Sequence, residues 1–272
     1  MGNNELLTFR KMGSGHLKCS LYLSKLYRSK IDREKFDSKW EDFLKSDPYN
    51  KPVFELNNNH LSYITEQLIP THKNNRPPLL LVFGNPASHS VYEGMFFSPN
   101  KAEKENRFWK HLRPRAGILD FSFDENLSLK ELNKLKKKCM VDLDYKSPFR
   151  IGLCVYYSMP SSAGGPWSGV AGLRKLLGKS AMEEVEKLEK ARIQNIASNF
   201  LTNKGIVVTF QKDAWEGLRS DKDPKYSIDK ARKGKLQGTL RFKPHVPLIG
   251  VPPTRLLGPS STVLHQLLSS RG

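Results

Sequence analysis

The chain has 272 residues, and 45 lysines and arginines against 27 acidic residues leave a formal charge of +18. That length buries a sizeable core without disulfide staples. The excess charge points to a polyanionic partner, although membrane surfaces and acidic proteins attract basic chains too. Cys19, Cys139 and Cys154 stand far apart, and the seven histidines form no ligand pair. A cysteine-only zinc site and a four-cysteine iron–sulfur cluster are thereby excluded within one chain, and no metal or other cofactor is expected.

The first thirty residues alternate polar and apolar positions and are broken by Lys11, Lys18, Lys25 and Lys30. That is no secretory signal. No run of about 18 apolar residues suggests a membrane span. The expectation is a monomer that is not secreted, cytoplasmic in a bacterium or nuclear in a eukaryote. Residues 1–76 read as a mainly helical, hydrophilic extension, in which Trp40, Phe43 and Leu44 share one helical face. Asn57-Asn58-Asn59 interrupts this pattern, and Arg76-Pro77-Pro78 ends it. Residues 77–272 read as the α/β domain on which the extension packs.

Leu79–Phe83 is a continuous apolar run closed by Gly84-Asn85-Pro86, as suits a strand buried on both faces. Ile151–Tyr157, Gly205–Phe210 and Val246–Val251 share that character. Ser128–Cys139 is expected to be a helix with Leu129, Leu132 and Leu135 inward. A longer helix opens on the capping box Ser180-Ala-Met-Glu183 and ends at Lys204-Gly205. Strands alternating with helices predict a three-layer α/β/α sandwich around a mostly parallel, four-stranded sheet. Ligands of such sheets bind at the carboxyl ends of the strands.

The first of those ends carries Gly84-Asn-Pro-Ala-Ser-His-Ser90, then Gly94-Met-Phe-Phe97, Asn106-Arg-Phe-Trp109 and Ala116-Gly117. Later comes Phe210-Gln-Lys-Asp-Ala-Trp-Glu216. In these motifs the chain resembles the uracil-DNA glycosylase superfamily, closest to its mismatch-specific uracil/thymine branch, over roughly residues 79–260. The resemblance implies a monofunctional glycosylase that flips a nucleotide, hydrolyses its N-glycosidic bond and leaves an abasic site. Its substrate would be DNA, as a duplex with a flipped base or as a single strand. Asn85 would hold the attacking water and Phe97 would stack on the extruded base. Pro86 and Tyr157 would lie beside that base, and Lys212 would face the DNA.

The chain departs from the pattern after its last strand. There Pro252 replaces the family's His or Asn and offers no donor to a base carbonyl. The expected target is therefore a modified or non-uracil base. His89 either supplies the missing donor or is an exposed loop residue. Thr254, Arg255 and Leu256 occupy the duplex-entry turn, with Leu256 either a wedge or an ordinary apolar turn residue. The Gly/Ser/Pro loop Met159–Gly172, with Trp167, either covers the pocket or is a surface excursion. Asp221–His245 is rich in cations, and Arg232, Lys233 and Lys235 are the expected phosphate contacts. Two other functions fit the residues: a glycosylase acting on hypermodified bases of foreign (phage) DNA as a defence factor, and a non-catalytic nucleic-acid-binding protein of the same fold.

Overall fold

The computed structural model describes residues 5–12, 16–99, 105–112, 117–120, 123, 127–253, 256 and 258–270. In chain order its elements begin with β1 (Leu7–Lys11), β2 (His16–Tyr22), α1 (Leu23–Leu26), α2 (Lys30–Lys45), α3 (Asn50–Val53), β3 (Phe54–Asn57) and β4 (His60–Leu68). Next are β5 (Pro78–Phe83), α4 (Ser88–Glu93), α5 (Arg107–Lys110), α6 (Leu129–Asp142) and β6 (Arg150–Val155). A 3₁₀ turn (Gly165–Trp167), α7 (Gly169–Leu177), α8 (Lys179–Phe200) and β7 (Ile206–Thr209) follow. The last elements are α9 (Lys212–Leu218), α10 (Ile228–Arg232), β8 (Gln237–Leu240), β9 (Lys243–Gly250) and α11 (Pro259–Ser269).

The chain divides into two compact units that interleave in sequence. The first holds residues 1–67, 85–96 and 157–192, and the second holds 68–84, 97–156 and 193–272. The chain passes between the units after residues 67, 84, 96, 156 and 192.

In the first unit, β1 pairs with β2, β2 with β4 and β3 with β4, all antiparallel. The expectation of a mainly helical region 1–76 is therefore corrected. The alternation that disqualifies a signal peptide is strand periodicity. Leu17, Cys19 and Leu21 are buried, while Lys18 between them is exposed. Helix α2 forms as expected and buries Phe36, Trp40 and Phe43, an i, i+4, i+7 stripe. Its rings meet Phe54 at 5.9 Å from Trp40 and 5.2 Å from Phe43.

The second unit is built on strands in the order β6-β5-β7-β9-β8. The first four are parallel, and β8 joins the edge antiparallel to β9. Every residue of β5, β6 and β7 is buried, which is why these strands read as unbroken apolar runs. The fold is α/β with a parallel centre. Phe83 pairs with Val155, Val82 with Thr209, and Thr209 with Gly250. The loops that follow all four parallel strands consequently leave from one edge.

Two helix expectations need correction. In α6 the buried residues are Asn133, Lys136 and Met140, and Leu135 is exposed. Lys136 is drawn inside by Glu105 at 3.0 Å and by the face of Trp109 at 5.5 Å, contacts invisible to periodicity. Helix α8 starts at Lys179, one residue before the expected cap. Gly178 separates it from α7 with a φ of 85°.

Candidate active site

Asn85 lies two residues beyond the end of β5, in the first unit. Its Nδ2 donates to Ser161 Oγ at 2.9 Å, to the Pro86 carbonyl at 3.2 Å and to the Met159 carbonyl at 3.4 Å. Carbonyls only accept, so these partners fix which end of the amide is nitrogen. Ser161 Oγ is itself held by the Gly169 N–H at 2.8 Å. No described residue donates to Asn85 Oδ1. Asn85 is half-exposed.

The loop carrying Asn85 is clamped from below. Asn50, 0% exposed at the start of α3, donates through Nδ2 to the Phe43 carbonyl at 2.7 Å and to Ser162 Oγ at 3.0 Å. Its Oδ1 accepts from Ser88 Oγ at 2.6 Å. The Ser88 N–H donates to the Ser161 carbonyl at 2.9 Å, and the Ser161 N–H donates to the Pro86 carbonyl at 3.0 Å. Asp47 Oδ2 accepts from the Ala163 N–H at 3.0 Å. Residues 46–50 are therefore part of the site's support, which the sequence reading missed. In the loop Met159–Gly172, Ser161 and Ser162 are buried in this clamp, while residues 163–166 are exposed. Trp167 packs 6.1 Å from Phe43. A side chain at Gly172 would overlap the Trp167 backbone.

In the second unit Phe97 sits among rings at the carboxyl ends of two strands. It stacks on Phe108 at 4.2 Å and meets Phe83 edge-on at 4.9 Å, while Phe83 stacks on Phe210 at 4.6 Å. Phe97 is half-buried with a φ of 52°, a costly backbone conformation for an aromatic residue. Asn106 caps α5 by accepting the Phe108 N–H at 2.9 Å, which places Phe108 beneath Phe97. The Asn-Arg-Phe-Trp motif therefore supports that ring.

Arg232, at the end of α10, and Lys233 and Lys235, in the turn after it, are exposed, and Lys233 pairs with Asp229 at 3.0 Å. This turn lies beside the segment after β9. The Gly250 N–H donates to the Leu236 carbonyl at 2.8 Å, and Ser260 Oγ donates to the Ala231 carbonyl at 3.1 Å. Lys212 is exposed in the first turn of α9, whose cap is Gln211 accepting the Ala214 N–H at 3.0 Å. Not every charge of this stretch faces outward. Arg219 is tied to the Ser220 and Asp223 carbonyls, and Asp223 Oδ2 accepts from the Ser220 and Thr239 N–H groups. Burial alone would raise the Glu216 carboxyl. The Tyr226 N–H and Arg219 outweigh it and hold the group below its ordinary value.

The remaining expected site residues are placed as follows. Tyr157 is 0% exposed and Pro86 is buried, so both are packing residues here and not base contacts. Leu256 is 1% exposed, as an apolar turn residue would be and not as a protruding wedge. Pro252 is half-buried. Thr254 and Arg255 lie outside the described residues, as does Ala116. His89 is half-exposed on α4, with Nε2 3.3 Å from Ser90 Oγ and its ring 6.2 Å from Tyr49.

A cavity of about 480 Å³ in the first unit is lined by Lys25, Tyr27, Arg28, Lys39 and Lys179 among others, and no expected site residue lies there. Burial, reinforced by Glu189, pushes the Cys19 thiol up to about 12, so it stays protonated and is no nucleophile. Among the described residues no three His, Cys, Asp or Glu side chains gather to hold a metal ion. No helix among them is long and apolar enough to cross a membrane. Compared with protein-family models and with curated proteins, the chain matches none.

Proposed function

We propose that this chain is a DNA base glycosylase, a three-layer α/β/α protein of the uracil-DNA glycosylase kind, acting as a monomer. It flips a nucleotide and hydrolyses its N-glycosidic bond. The observation that carries this reading is the Asn85 side chain: its nitrogen is fixed by three acceptors, and no described residue donates to its oxygen. Glycosidic cleavage passes through a cationic sugar and an anionic leaving base. The enzyme then needs an oriented water and a donor near the base more than a strong nucleophile. Asn85 Oδ1 accepts a hydrogen bond from the water and aims its oxygen at the anomeric carbon. Phe97, half-exposed on a stack of rings, receives the face of the extruded base. Pro252 has no donor, so His89 serves the departing base and the target is a modified or non-uracil base. Arg232, Lys233, Lys235 and Lys212 grip phosphates.

The test is base release from oligonucleotides carrying uracil, mispaired thymine or modified cytosines. Asn85→Ala should lower release from the best substrate at least a hundredfold, comparable to removing one key catalytic hydrogen bond, while DNA binding stays within about twofold. Unchanged release removes Asn85 from the mechanism, and uracil as the best substrate removes the non-uracil target. The enclosure of Tyr157 and Leu256 favours a second reading, a non-catalytic DNA-binding protein. Absence of release from every substrate, with binding intact, would select it.

A further inference from the structure

Tyr92 is 57% exposed on α4, an unusual setting for an aromatic ring on a helix otherwise anchored by buried serines. Tyr49 stands beside it with ring centroids 5.4 Å apart, and beyond Tyr49 lies the His89 ring at 6.2 Å. We propose that Tyr49 and Tyr92 form a stacking platform for an unpaired base within about five nucleotides of the excised one. The protein then takes a single-stranded or locally melted strand in preference to intact duplex. The inference rests on the glycosylase reading and names its substrate form.

Both rings are built on the clamp that aims Asn85. The Tyr49 N–H donates to Asp47 Oδ1 at 3.0 Å, and its neighbour Asn50 accepts from Ser88 in the first turn of α4. Backbones anchored this way lose little freedom when a base stacks on the rings they carry. Three extended residues and one helical turn separate Tyr92 from Asn85, a Cα span of at most about 17 Å. A strand stacked at about 3.4 Å per nucleotide covers that span in about five nucleotides. Lys51, exposed two residues beyond Tyr49, adds a cation for the backbone. In a duplex both faces of a base are covered by its neighbours, so exposed rings add affinity only where a base is unpaired.

The test uses the full chain and a labelled oligothymidylate, free or annealed to its complement, with binding read by fluorescence anisotropy. Tyr92→Ala should weaken single-strand binding about tenfold, within the range of one lost base–aromatic stack, and duplex binding less than about twofold. Tyr92→Phe should keep wild-type affinity, because stacking does not need the hydroxyl. The four native tryptophans are at most 6% exposed, so a Tyr92→Trp variant adds an accessible fluorophore that oligothymidylate should quench. Equal effects on both DNA forms, or none, overturn the platform. A self-associating wild type whose Tyr92→Ala variant is monomeric by sedimentation overturns it too, by assigning the rings to a protein contact. Base release separates this inference from the reading beneath it. Release without the Tyr92 effect sinks the platform alone. A Tyr92-dependent strand preference without release sinks only the glycosylase reading.

Discussion

The loop after β5 and the loop after β9 are built in opposite ways. The first is tied by buried side chains: Asn50, Ser88 and Ser161 bond one another and the backbone around Asn85. Among the described residues around the second, the Gly250 N–H at the end of β9 and the Ser260 hydroxyl in α11 reach the α10 turn, where Arg232, Lys233 and Lys235 stay exposed. A fully satisfied buried polar network is worth its desolvation only where a group must be placed closely. Phosphate contacts are long-range and tolerate movement. Under the proposed function, the contrast gives positioning to the first loop and grip to the second.

The largest effect should follow from cutting the clamp. Asn50→Ala removes three buried hydrogen bonds, to the Phe43 carbonyl and to the Ser88 and Ser162 hydroxyls, at a cost of about 3 kcal/mol even though Ser46 and the Ser161 carbonyl still partner those groups. Urea unfolding should show this as a lowered midpoint, while Lys235→Ala should stay within about 0.5 kcal/mol of wild type. Equal stabilities for the two variants would erase the contrast. A smaller effect separates aiming from folding. Ser161→Ala removes one partner of the Asn85 amide, and base release at saturating DNA should fall about tenfold, as for a misaligned catalytic group. KM should not move. A fall in affinity with unchanged turnover would return Ser161 to a purely structural role.

The α10 turn beside the second loop should answer to salt. Arg232→Ala and Lys235→Ala should each reduce the slope of log K against log salt by about 1 and weaken binding evenly across sequences. Turnover of bound substrate should not change. An unaltered slope would make this turn merely a solvated basic surface.

How far the sequence discloses these regions follows from where each signal is stored. The parallel strands are legible because both faces are buried: Leu79–Phe83 and Ile151–Val155 need no partner to be recognised as apolar runs. Half-buried strands store the same information at period two. In β2 Leu17, Cys19 and Leu21 are buried, and in β4 Leu61, Tyr63, Thr65, Glu66 and Leu68, so polar residues fall on both sides of the pattern and mask it. Asn85 and Phe97 are legible as a strand end and an aromatic cluster. Their supports are not, because Asn50 draws its burial from Ser88 and Ser162, which lie 38 and 112 residues away. The inward turn of Lys136 has the same origin, since Glu105 is 31 residues distant.

The smallest effect concerns a carboxylate that stiffens the α9 end of the second region. Burial works against the charged form of Glu216, but the Tyr226 N–H and the Arg219 guanidinium, at 2.5 and 2.7 Å, prevail and depress its folded value. A group depressed in the folded state binds its proton more readily when unfolded. Its contribution is therefore present above the unfolded carboxylate value of about 4.3 and fades as pH falls through the folded one. Wild type should lose stability between pH 5 and 3, on the order of that window, more steeply than Glu216→Gln. The replacement keeps one acceptor for the Tyr226 N–H but has no charge to lose. Since Arg219 also bonds the Ser220 and Asp223 carbonyls, the variant should stay folded at neutral pH. Superimposable acid-unfolding profiles for the two proteins would show that Glu216 fastens the region no better than a neutral amide.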